Sequence, residues 1–238
     1  MKGGTTMPHE GFTIQHRAIG RFAAWAAFLV GQVYAIAALL GFISLKSPRD
    51  PIGDPFLSIM AFLIVLMAPL MVASMVAVHA YASPDLKAYS LTALAFMILL
   101  AGITSSVNFV LLVVSRQTEA AGSPWLPLFL PYKWPSVAYS LDILAWDWFF
   151  ALSMLSAAPV FKEGRLEKMV RIFMIVSGVL CLVGLIGVLF ADVQFLSVGI
   201  FGYGVVAPVV FLLLGMVFGR TKPVPGDTKQ SRSSRSGA

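Results

Sequence analysis

Two acids, Asp142 and Asp147, lie inside one long apolar run of this 238-residue chain, and no other charged residue interrupts a run of that kind. An ionised Asp at the centre of a bilayer costs about 2.5–3.5 kcal/mol on insertion scales, so such a group faces other helices or a wet cavity. Pro135 precedes the run, and at ~1.5 Å per residue Asp142 lies ~10 Å and Asp147 ~18 Å in from that end. Asp147 is therefore placed near the midplane. Five residues at about 100° each separate the two by about 140° around an ideal helix, too far to clamp one metal ion without distortion. Asp142 shares a helical face with Tyr139, Trp146, Ser153 and Ser156; Asp147 shares one with Ser140 and Met154.

Depth supplies partners for both acids. Asn108 stands eight residues before Arg116 on the preceding, oppositely directed segment, close to the level of Asp142. Thr104 and Ser105 lie nearer the level of Asp147, and Gln32 is near the midplane of the first segment. Two readings follow. In the first, the polar groups are no more than interhelical glue that fixes register. Alternatively, one acid binds and releases a proton or cation, with Asp142, Asp147, Asn108 and Gln32 forming the site and Tyr139, Ser140, Thr104 and Ser105 supporting it.

A second constellation involves sulfur. Met67, Met71, Met75 and His79 recur every four residues along the second segment, with Met60 extending the face. Thioethers and imidazole suit Cu(I), and the spacing resembles that of membrane copper-uptake proteins, which would imply a metal path. The resemblance covers this ladder alone, and methionine stripes also serve as adaptable core packing.

Other intramembrane chemistries lack their residues. His9 and His16 lie in the N-terminal tail and His79 at a segment edge, so a Ser and His protease or a bis-histidine haem is not supported. No span contains a Lys for a retinal Schiff base. Gly199, Gly202 and Gly204 follow no strand, which argues against a phosphate loop. No cofactor is implied, and an enzyme is the less favoured reading.

The elements that must position these residues are apolar runs at 22-44, 56-80, 89-114, 136-161, 172-191 and 195-219. About 20 residues cross a ~30 Å hydrocarbon core, and runs this continuous satisfy their backbone as helices rather than as a barrel. The expected fold class is all-α: one six-helix transmembrane domain over 22-219, a tail over 1-21 and a basic disordered tail over 220-238. Composition agrees, with 58% hydrophobic and only 12% charged residues.

Six spans put both termini on one side. That side carries Lys2, Arg17, Arg21, Lys87, Lys162, Arg165, Lys168, Arg171, Arg220, Lys222, Lys229, Arg232 and Arg235, against Lys46, Arg49, Arg116 and Lys133 opposite. The basic side is expected to be cytoplasmic, in an inner or plasma membrane. The net charge of +6 sits at membrane edges, which points to the bilayer and its anionic headgroups as partners rather than nucleic acid. A protein partner or a second copy is compatible with the chain. The triplet Ala35, Ile36, Ala37 could mimic a signal-peptide cleavage site, but the run is long enough to span and a signal anchor is simpler.

Small residues mark two expected packing seams: Ala24, Ala27, Gly31, Ala35 and Ala38, and Ser177, Cys181, Gly184 and Gly187. Pro69 and Pro208 can kink their helices. Trp125, Tyr132 and Trp134, between Gly122 and Pro135, suit an interfacial loop on the external side. The two halves show no convincing inverted repeat. The sequence thus reads as a multi-pass protein passing or sensing a small solute or ion through a polar bundle; the alternative is a non-transporting subunit or scaffold that binds a partner protein.

Orientation is directly testable. With Cys181 replaced, single cysteines introduced by Lys46→Cys and Lys133→Cys should react with an impermeant thiol reagent from outside, whereas Lys168→Cys should not. Labelling of Lys168→Cys alone would invert the assignment.

Overall fold

The computed structural model describes residues 11–47, 52–114, 122, 126–129, 136–190 and 193–222. Trp125, Tyr132, Trp134 and the tail beyond residue 222 lie outside the described residues. Among those described, all secondary structure is helical. Six helices are long and apolar enough to cross a membrane: Ile14–Ile43, Phe56–Tyr81, Pro84–Val114, Val137–Val160, Gly164–Phe190 and Phe195–Arg220.

Each span packs on the next in chain order, and the sixth returns to the first, so the bundle closes on itself. Its interior is filled by long, adaptable side chains: Met71, Met75, Met97, Met154, Met174 and Phe150 are almost completely buried. Outward positions are also apolar. Phe22, Leu29, Ile36, Leu39 and Phe42 of the first span stand exposed, as expected of a surface meant for acyl chains rather than water. Exposure is uneven: 61% of the fourth span's most apolar window is buried against 17% for the first. The acid-bearing helix is the most enclosed of the six.

Two helices start well before the apolar runs do. The first begins at Ile14 because Thr13 caps it, its side chain accepting from the His16 N–H at 3.3 Å while His16 Nδ1 accepts from the Thr13 N–H. The fifth begins at Gly164, so Arg165, Lys168 and Arg171 are helical. Hydropathy marks where lipid begins, whereas capping marks where the helix begins. Gly164 itself has φ +78°, a left-handed turn that lets the chain reverse between the fourth and fifth spans.

The ends nearest both termini are tied together. Phe12 packs edge-on against Tyr81 and stacks with Phe218, and Tyr81 stacks with Phe161 at 5.7 Å. Tyr81 Oη donates to Glu167 Oε1 at 2.6 Å, and Glu167 Oε2 accepts from the Glu163 N–H. Arg17 donates to the Gly219 carbonyl, joining the first and sixth spans. At this end His79 is within hydrogen-bonding distance of Ser90 Oγ, at 2.9 Å.

The glycine-rich seam of the fifth span meets the sixth. Ser177 Oγ donates to the Gly202 carbonyl at 2.8 Å, and backbone of Gly199 approaches Gly184 so closely that a Cβ there would fall 2.8 Å from its Cα. The alanine seam of the first span is only partly interior, with Ala24 and Ala27 buried and Ala35 exposed. Pro69 is accommodated without interrupting its helix. Pro208 supplies no N–H to the preceding turn, and the chain widens into a π turn over Gly202–Val206 just before it.

Candidate functional site

The fourth span starts at a capped end, where Ser136 Oγ accepts from the Tyr139 N–H at 3.1 Å. It runs as α-helix over Val137–Ile143, widens into a π segment over Leu144–Phe149, and resumes as α-helix over Phe150–Ala157. The Phe150 N–H donates to the Ala145 carbonyl, a five-residue step instead of four. Trp146 and Asp147 lie in this widened stretch. An extra residue in the turn narrows the angle between residues five apart, so the ideal-helix separation of the acids is not the one realised. Both carboxyl groups are directed into the protein, with Asp142 8% and Asp147 2% exposed.

Thr104, on the third span, organises the first acid. Its hydroxyl donates to Asp142 Oδ1 at 3.2 Å and accepts from Trp146 Nε1 at 3.1 Å and from Asn108 Nδ2 at 3.3 Å. One donor and two acceptor positions exhaust a hydroxyl, so Thr104 is saturated. Asn108 Nδ2 also donates to the Thr104 carbonyl at 2.8 Å. The third and fourth spans are thus locked by bonds that leave no hydroxyl valence spare.

Three phenols surround the pair. Tyr34 of the first span, Tyr139 of the fourth and Tyr203 of the sixth lie within electrostatic reach of Asp142, and Tyr139 and Tyr203 also of Asp147. Tyr203 belongs to the π turn of the sixth span, and its ring lies 5.1 Å from that of Trp146. The two widened turns therefore touch through this ring pair, beside Asp147.

Asp147 is held differently from Asp142. A Cβ built on Gly199 would fall 1.9 Å from Asp147 Oδ1, and one on Gly184 would fall 3.1 Å from it. The carboxyl group occupies the space that two missing side chains leave on the fifth and sixth spans. Among the described residues Oδ1, which is buried, has no hydrogen-bond partner. Cys181, also on the fifth span, donates its thiol to the Gly199 carbonyl at 3.8 Å.

The sequence-derived residues divide accordingly. Thr104 bonds Asp142 and Asn108 bonds Thr104, Tyr139 lies within electrostatic reach of both acids, Gln32 lies exposed on the first span and Ser105 is half-buried. Ser140 is exposed and donates to the Ser136 carbonyl. Met71 and Met75 are buried in the apolar interior, with Met67 packed against it. Among the described residues no group of three or more His, Cys, Asp or Glu is arranged to hold a metal.

Sequence reasoning missed Tyr34 and Tyr203, since a phenol in a span resembles any aromatic packing residue. The glycine niche was half visible: Gly184 stood in a recognised seam, but nothing tied it or Gly199 to an acid on another helix. No protein-family model, curated protein or solved structure matches the chain.

The niche yields a stability prediction. Gly199→Ala places a methyl group against Asp147 Oδ1 and should destabilise the protein by about 1–3 kcal/mol. Adding Asp147→Ala removes the opposing oxygen and should recover most of that loss. Reversible unfolding of the four proteins closes the cycle, and purely additive effects would contradict the contact.

Proposed function

We propose that this protein is a multi-pass protein of an inner or plasma membrane that binds and releases a proton or small cation at the Asp142 and Asp147 pair, in the course of moving or sensing a small solute or ion. Its termini face the cytoplasm in this reading, where the basic helix ends touch anionic headgroups. The observation that carries it is the unpartnered, buried Oδ1 of Asp147. An acid retained only for packing would be expected to have both oxygens bonded, because an unsatisfied buried polar atom costs about 1–3 kcal/mol and an uncompensated charge more. Taking up a proton or a cation removes the charge.

The second reading, a non-transporting subunit whose polar groups only hold its helices in register, is favoured by the saturated hydroxyl of Thr104. That bonding supports a fixed third and fourth span. It leaves Asp147 unexplained, since nothing in the Thr104 network reaches its Oδ1.

Infrared difference spectroscopy across a pH step separates the two. The wild type should show a reversible carboxyl band, and the isosteric Asp147→Asn should lose it while retaining fold and thermal stability. A folded Asp147→Asn whose pH-difference spectrum matches the wild type would assign Asp147 to helix packing.

A further inference from the structure

Resting on the reading of Asp147 as the exchanging acid, we infer that the species it takes is a proton, and that the contact with Gly199 and Gly184 excludes metal cations from the same oxygen.

A bound cation needs a shell of oxygens around it. Calcium takes about six to eight at roughly 2.3–2.6 Å, magnesium a near-ideal octahedron, and sodium in membrane helices is met by carbonyls freed where a helix unwinds. Asp147 Oδ1 instead presses on glycine backbone, with the Gly199 Cβ position 1.9 Å away and the Gly184 position 3.1 Å away. That side of the oxygen has no room for an ion. The carbonyls beside the widened turn of the sixth span are also engaged, Gly199 O by the Cys181 thiol and Gly202 O by Ser177 Oγ.

The groups facing Asp147 fit proton exchange instead. They are Asp142 and Tyr139 on its own span, Cys181 on the fifth and Tyr203 on the sixth, with Tyr34 of the first span reaching Asp142. Every one of them carries an exchangeable proton in its neutral form, and none is a fixed cation. A proton requires a single lone pair and little added volume, which is what an unbonded oxygen in a filled niche offers. The glycines serve twice in this account: they admit the carboxyl group between helices, and they bring the backbone close enough to shut out anything larger.

The test uses the wild-type protein in lipid vesicles. The infrared carboxyl signal is titrated against pH in chloride salts of sodium, potassium, magnesium and a bulky organic cation, at constant ionic strength. The expected result is one titration midpoint in all four. A competing ion would lower the midpoint by about one pH unit for each tenfold rise in its concentration above its dissociation constant. Such a shift, absent in Asp147→Asn, would overturn the proton-only inference and leave the proposed exchange at Asp147 standing. A wild type with no carboxyl titration assignable to Asp147 would instead overturn both. Should Asp147→Asn not fold, the difference between aspartate-labelled wild type and aspartate-labelled Asp147→Ala assigns the band, so the outcome does not depend on one variant.

Discussion

A carboxylate taken out of water must be compensated, and in this protein that constraint decides which helix is central and what surrounds it. The fourth span is the most enclosed of the six because it carries both acids, and lipid on either side would leave them unsolvated. The two acids are accommodated by different means. Asp142 receives a hydroxyl that is itself fully bonded; Asp147 receives space, cut into two neighbouring helices by the absence of side chains at Gly184 and Gly199.

The widened turns follow from the same constraint. A regular helix keeps residues five apart on different faces, so one of the acids would tend toward lipid. The π segment at Leu144–Phe149 turns Asp147 inward while Trp146 still reaches Thr104. On the sixth span the widening at Gly202–Val206 precedes Pro208 and sets Tyr203 against Trp146. Widened turns of this kind occur often at functional sites, and here the ring contact of Trp146 and Tyr203 joins one on each helix.

Much of the fold was legible from hydropathy alone. Six apolar runs gave six helices because helices long enough to cross a bilayer must carry their polarity only at the ends. The helix starts were less legible, because Thr13 and Gly164 begin helices that extend through basic residues, which end an apolar run without ending the helix. At the site, the acids were readable from spacing, but Thr104, placed by depth nearer Asp147, bonds Asp142 instead. The π segment was not, since Leu144–Phe149 contains neither Gly nor Pro to announce it. Gln32 illustrates the limit of depth matching, because its level was right for a partner but its face of the first span turns outward. Tyr34, two residues on, turns toward Asp142. Depth follows from counting residues; azimuth depends on how each helix packs.

The account stands on Asp147 changing its protonation state inside a folded bundle. Solid-state magnetic resonance of the protein in lipid bilayers, with carboxyl-labelled aspartate and the Asp147 signal assigned by its loss in Asp147→Asn, follows that side-chain carbon as pH is varied. The account predicts that this resonance moves between its acid and carboxylate positions while the signals of the surrounding helices hold still. A resonance fixed at one position throughout the range in which the helices stay folded would contradict it.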